Sequence, residues 1–209
     1  MRTIKKVASH IFIDGFGGMT QGLFATLIIG TMIQQIGLLI GGSTGNVIYL
    51  LGKAAAALTS AGIGVGVAVK YGESPLVTVS AAVAAMVGGY AGKITGGTFF
   101  VDGNAVLAGP GEPLGAFIAA FAGITCGHLV SGKTKVDIIV TPVITIGAGS
   151  VVGLLVGPPI SQMMTGLGSI INGATEQRPF IMGIVVSVVM GMVLTLPISS
   201  AALGIILNL

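Results

Sequence analysis

Charge is what this sequence has least of. Of its 209 residues only 7% are Asp, Glu, Lys or Arg, against 53% hydrophobic, and the mean hydropathy is +1.04. A soluble domain carries about 25% charged residues, because water must wet its surface. A soluble globular protein is therefore excluded, and the chain reads as an integral membrane protein in a lipid bilayer. Nine cations against six anions are thinly spread, without the basic stripe that a nucleic acid partner requires. The single cysteine, Cys126, excludes an intrachain disulfide. There is no tryptophan, so the interfacial aromatic role falls to Tyr71 and Tyr90, near the ends of apolar runs. His10 and His128 have no Asp, Glu or Cys at ligand spacing, so no metal is implied, and no other cofactor. A Ser-His-Asp grouping is not visible either, which leaves covalent catalysis by the chain itself unsupported.

What is present is a series of apolar runs near the roughly 20 residues that a span needs. Residues 1–17 form a basic amphipathic lead-in, with Ile4, Val7, Ile11 and Phe12 set against Arg2, Lys5 and Lys6. It is expected to be retained and to lie on the cytosolic surface. Spans are expected over about Met19–Leu39, Val47–Val69, Pro75–Gly92, Leu114–Val130, Ile138–Val156 and Phe180–Leu207. Residues 93–113 lose periodicity while staying fairly apolar, which suits a re-entrant or protein-buried loop. Gly157-Pro158-Pro159 is expected to break a helix, and residues 160–174 to form a half-helix or re-entrant hairpin. Pro197 should kink or end the last span. The fold class is thus all-α integral membrane, a polytopic helical bundle of about six spans with one or two re-entrant or broken segments. It forms a single transmembrane domain over 18–209.

Lysine and arginine then set orientation. With the N-terminus cytosolic, Arg2, Lys5, Lys6, Lys70, Lys133 and Lys135 all lie inside, and only Lys93 and Arg178 lie outside. Glycines at four-residue spacing, such as Gly18/Gly22, Gly62/Gly66, Gly88/Gly92 and Gly149/Gly153/Gly157, predict ridges where helix backbones pack closely.

One motif competes with this picture. Gly127-His128-Leu129-Val130-Ser131-Gly132-Lys133-Thr134 satisfies the P-loop pattern G-x-x-x-x-G-K-[ST]. A P-loop needs a strand to deliver its glycine-rich turn to a helix N-terminus. Here a membrane span precedes the motif, and no run ending in Asp offers a magnesium ligand within a soluble sheet. The stretch reads as a cytosolic turn obeying the positive-inside rule, so no nucleotide partner is expected.

Polar groups at membrane depth are the remaining functional candidates: Gln34, Gln35, Lys53, Asp102, Asn104 and Glu112. Lys53 either snorkels or faces a ligand. Glu112, between Gly111 and Pro113 beside a broken segment, is the sharpest candidate for holding a neutral polyol, its alternative being a water-facing loop carboxylate. Discontinuous helices are where transporters place their substrate sites.

Several stretches then resemble a known family. Leu129 through Pro142 (LVSGKTKVDIIVTP), Gly157-Pro158-Pro159-Ile160, Pro179-Phe180-Ile181-Met182-Gly183 and Leu196 through Ala202 are similar to the EIIC-like membrane proteins of the phosphotransferase system (PTS). The branch is the perfringolysin-regulator-like one, also described as toxin regulators. The resemblance runs from about Phe16 onward, and Gly111-Glu112-Pro113 is similar to a Glu-Pro element that carries a sugar-contacting carboxylate. It implies a homodimeric sugar-translocating subunit in the bacterial plasma membrane. Such a subunit takes sugar from outside and presents it to separate EIIB and EIIA proteins, EIIB donating the phosphoryl group. The substrate-binding set would be Glu112, Asn104, Gln34, Gln35 and Lys53, and Lys133 and Lys135 would dock the partner. Family members continue past the serine-rich last span, so a shortened chain is expected, and with it the alternative of a non-transporting membrane regulator or sensor.

Overall fold

A computed structural model describes residues 14–101, 103–107, 109–177, 183–184 and 187–188. Among them the chain is an all-α bundle apart from one short β-hairpin. Helix α1 runs over Phe16–Ile40, with a π-helical turn at Phe24–Ile28. It turns at Gly41, whose φ of 66° lies in the left-handed region open to glycine. Helices α2 (Gly42–Ala57) and α3 (Thr59–Lys70) return alongside it. Helix α4 covers Pro75–Gly89 and α5 covers Ala91–Thr95. Strands β1 (Phe100–Val101) and β2 (Asn104–Ala105) pair antiparallel. Helix α6 spans Pro113–Val130 and α7 spans Asp137–Gln177.

Among the described residues three helices are long and apolar enough to cross a membrane: Phe16–Ile40, Pro113–Val130 and Asp137–Gly166. There are four if the bent pair α2–α3 counts as one span, and α4 is a shorter apolar helix. The expected first, third and fourth spans match α1, α4 and α6 to within a few residues. The expected last span falls outside the described residues except for two short pieces.

Close backbone approach holds the bundle together. A Cβ on Gly18 would fall 2.6 Å from the Gly66 carbonyl oxygen, and one on Gly30 would fall 2.8 Å from that of Gly52. This glycine seam lets α1 lie against α3 near its start and against α2 near its end. Helix α3 packs next on α4 and α6, and α4 and α6 pack on α7. The core is built from small and branched residues, among them Leu23, Ile63, Val67, Val77, Ala81, Ala85, Ala116, Ala120 and Ile124. Phe16 stacks on Phe117 with ring centroids 4.8 Å apart, anchoring the start of α1.

Three expectations need correction. Residues 160–174 form neither a half-helix nor a hairpin, because α7 continues through Pro158 and Pro159 to Gln177. Proline normally clashes with the Cβ of the residue before it. Gly157 has none, which eases the clash at Pro158, and its bare face lies against Ala91 and Gly88; the helix runs on through both prolines with two carbonyls relieved of their intrahelical donors. The expected unbroken span Val47–Val69 is bent by 53° at Leu58. No proline lies there. The Thr59 hydroxyl instead donates to the Ala56 carbonyl at 2.6 Å, and the Ser60 hydroxyl donates to the Pro110 carbonyl at 2.9 Å. Finally, residues 93–113 are not buried throughout. Their outer part, with the β-hairpin, is exposed on this chain, and only the inner end docks into the bundle.

Candidate substrate site

The loop returns to the bundle at Gly109–Glu112, and its own backbone groups make the docking bonds, with one backbone and two side-chain partners. The Glu112 N–H donates to the Gly89 carbonyl at 2.7 Å. Ser60 holds the Pro110 carbonyl and the Tyr90 hydroxyl holds that of Gly109. Gly111 has a φ of 73°, and its bare face meets the Ser60 hydroxyl and the Gly89 carbonyl. Each element follows from local sequence. Gly88-Gly89 ends α4 without side chains, Tyr90 caps it, and Glu112-Pro113 starts α6 with proline in its first turn.

Glu112 is the N-cap of α6, its Oε1 accepting from the Leu114 N–H at 3.3 Å. The residue is half-buried. Burial pushes its carboxyl up to about 7, against the lowering effect of the Leu114 bond. Such a group switches between hydrogen-bond acceptor and donor near neutral pH.

The other candidates are not gathered around it. The Gln34 amide turns back to the Gly30 carbonyl at 3.4 Å, and its side chain lies where a Cβ on Gly52 would fall. Gln35 and Lys53 are exposed on the same α1–α2 hairpin, and Asn104 is exposed in β2. Asp102 lies outside the described residues.

At the opposite end of the bundle, the 131–136 turn is fastened by Asp137. Its Oδ1 accepts from the Gly132 N–H at 2.9 Å and from the Thr141 hydroxyl at 2.6 Å. Gly132 has a φ of 73°. The motif therefore closes on its own carboxylate, in a turn between two apolar helices, and Lys133 and Lys135 are exposed. His128 pairs with Glu73 at 3.0 Å, and the Ser74 and Ser131 hydroxyls lie 3.0 Å apart, joining this turn to the 71–74 turn. Burial, reinforced by the Asp14 charge, raises the Tyr71 hydroxyl to about 12.

Sequence reasoning missed a second polar feature. Between α5 and the second half of α7 lies a cleft of about 530 Å³, lined by Gly92, Thr95, Ser161, Gln162, Thr165 and Ser169, among others. The signal was in the sequence: Ser161, Thr165 and Ser169 recur every fourth residue and so share one helix face. Among the described residues no group of three or more His, Cys, Asp or Glu could hold a metal ion.

The fold and these sites define a polytopic helical membrane protein with polar groups at helix breaks. The chain matches the family model for the phosphotransferase system, EIIC (PTS_EIIC_2), over residues 13–209, and it belongs to that family. It is thereby a membrane component of a sugar transporter of that system, working with the system's other components. No curated protein and no solved structure matches the chain.

Proposed function

We propose that this chain is the sugar-binding and translocating subunit of its phosphotransferase system. It takes sugar from the outer side of the bacterial plasma membrane and presents it to a cytosolic EIIB-type phosphoryl donor. The observation that carries the reading is the half-buried carboxyl of Glu112, held at a helix N-terminus where a loop docks among α3, α4 and α6. A carboxyl there can accept a sugar hydroxyl, and broken helices supply further backbone groups. Asn104, Gln34, Gln35 and Lys53 are secondary candidates, available to it only through movement of the loop or the hairpin. A cytosolic N-terminus puts Lys70, Lys133 and Lys135 on the donor's side. The apolar α1–α2 hairpin, with Leu39 and Leu51 exposed, suits the interface of a homodimer.

The test is uptake and phosphoenolpyruvate-dependent phosphorylation of a labelled sugar panel, in cells expressing the chain with its partner components. Glu112→Gln is expected to reduce both. A wild-type chain that accumulates and phosphorylates no sugar would sink the reading. Altered gene expression on deletion, with uptake unchanged, would point to the regulator alternative.

A further inference from the structure

The β-hairpin in the outer part of the 93–113 loop is apolar, exposed and tied down at both ends. Phe100 is 60% exposed and Val101 52%, and Val106 and Leu107 are exposed beside them. The first strand leaves from the end of α5, where the Thr98 and Phe99 N–H groups both donate to the Lys93 carbonyl, at 3.0 and 3.1 Å. The Val106 N–H extends the ladder to the Phe99 carbonyl at 2.8 Å. Three rings run in a chain: Phe99 lies 5.4 Å from Tyr90 and 4.9 Å from Phe100 between centroids. Tyr90 is buried, and its hydroxyl holds the Gly109 carbonyl where the chain comes back from the hairpin.

Height along the membrane normal follows from α6. That helix is long and apolar enough to cross, so its two ends lie at opposite membrane faces. The 131–136 turn follows it and the hairpin precedes it, which puts the hairpin at the face opposite Lys133. The Glu112 N–H bonds the Gly89 carbonyl, so Tyr90 is level with the start of α6. Phe100 is two ring contacts from Tyr90 and therefore stays close to the membrane boundary.

Register then decides what covers the hairpin. An exposed apolar patch of this kind marks contact with protein or with lipid. Phe100 pairs with Ala105 and Val101 with Asn104, and successive strand residues point to opposite faces. Apolar side chains are thus exposed on both faces of the ribbon. A protein partner lies against one face, whereas a lipid boundary surrounds both. Depth is limited as well. A two-stranded sheet leaves the outer edge of each strand without a ladder partner. Hydrocarbon cannot satisfy such groups, but headgroups and their water can. Aromatic and cationic residues settle at that level, and here the Lys93 ammonium stands 5.4 Å from the Tyr90 ring centroid.

We propose that the hairpin is a lipid anchor. It seats Phe100, Val101, Val106 and Leu107 in the headgroup–acyl boundary at the membrane face opposite the 131–136 turn, and so moors the loop whose inner end carries Glu112. Phospholipid is then the partner of this surface, whether or not the chain translocates a solute.

The absence of tryptophan from the chain makes the test direct. Phe100→Trp and Val101→Trp each introduce a single reporter, one on each face of the ribbon. The full chain is reconstituted in vesicles of phosphatidylcholine and phosphatidylglycerol that carry a nitroxide on the acyl chain, either near the glycerol or near the chain end. Interfacial elements lie about 5–10 Å into the boundary, so the shallow nitroxide should quench both reporters about twofold more than the deep one. Acrylamide in the water should quench them about threefold less than it quenches free tryptophan amide, as expected at that depth. In the unsubstituted chain, a photoreactive group at the shallow position should label the peptide containing residues 99–107. That measurement stands even if a tryptophan disturbs the fold. Full acrylamide access at both positions, or no labelling of that peptide, would overturn the proposal. Lipid quenching on one face only, or protection from acrylamide without quenching by either nitroxide, would assign the hairpin to a protein contact and overturn it too.

Discussion

The backbone N–H of Glu112 donates to the Gly89 carbonyl across 2.7 Å, tying the entry of α6 to the exit of α4. The bond is short because Gly89 has no side chain. A Cβ there would overlap the Ser60 hydroxyl, stand 2.9 Å from the Ser60 Cβ and stand 3.3 Å from that of Ala116. Gly89→Ala should therefore cost about 1–3 kcal/mol through overpacking and loosen the Pro110–Glu112 docking. Adding Ser60→Ala removes the oxygen but not the Cβ, so it should recover only part of the loss. Chemical unfolding in detergent reads both, and a Gly89→Ala protein as stable as the wild type would mean that the three helices do not meet at this point.

Glu112 should also give stability a pH dependence of definite sign. Its carboxyl has an ordinary value of 4.5 and is raised to about 7 in the fold by burial. Between those values the folded chain holds the proton more tightly than the unfolded chain. Stability should therefore fall as pH rises from about 4.5 to about 7 and be level in this respect above that. The difference between wild type and Glu112→Gln, measured across that window, isolates the contribution from other titrating groups. A difference independent of pH would show that the carboxyl is not buried as described.

Asp137 closes the 131–136 turn by accepting from the Gly132 N–H and the Thr141 hydroxyl. Asp137→Ala removes the oxygen that accepts both bonds and should cost about 1 kcal/mol, as loss of a helix cap does. Asp137→Asn keeps a carbonyl oxygen and should cost less. Hydrogen exchange should speed up over 131–141 and stay unchanged in the middle of α6. Equal protection in all three proteins would show that the backbone alone maintains the turn.

Much of the fold was legible because glycine and charge act locally. Ridges such as Gly18/Gly22 and Gly62/Gly66 foretold close backbone packing, and the structure sets these two against each other in the α1–α3 seam. The helix breaks were not legible, because they depend on what packs beside them. Pro158 and Pro159 leave α7 intact, with Gly157 relieving the clash at Pro158, whereas Leu58 interrupts α2–α3 with no breaker residue in its sequence. There Thr59 and Ser60 bind carbonyls, and one of those carbonyls, Pro110, arrives from a loop distant in the chain. Glu112 announced itself through its Gly and Pro neighbours. The partners at its docking point, Ser60, Gly89 and Tyr90, come from the tertiary fold, and the residues flagged for polarity alone, Gln35 and Lys53, are exposed on a separate hairpin.

The last prediction concerns the exposed lysines of the 131–136 turn. Lys133 and Lys135 sit on a loop held in shape by Gly132 and Asp137, beside the His128–Glu73 pair. Exposed cations on a fixed turn act mainly on encounter with a partner, through rate and salt dependence, and contribute little to folding. If a phosphoryl-donating protein docks here, Lys133→Glu with Lys135→Glu should raise the donor concentration needed for half-maximal sugar phosphorylation by about tenfold. The maximal rate and sugar affinity should change little. The salt sensitivity of the wild-type reaction should also diminish, because screening acts on the attraction that the reversal removes. An unchanged donor requirement at low salt would assign the two lysines to membrane orientation alone.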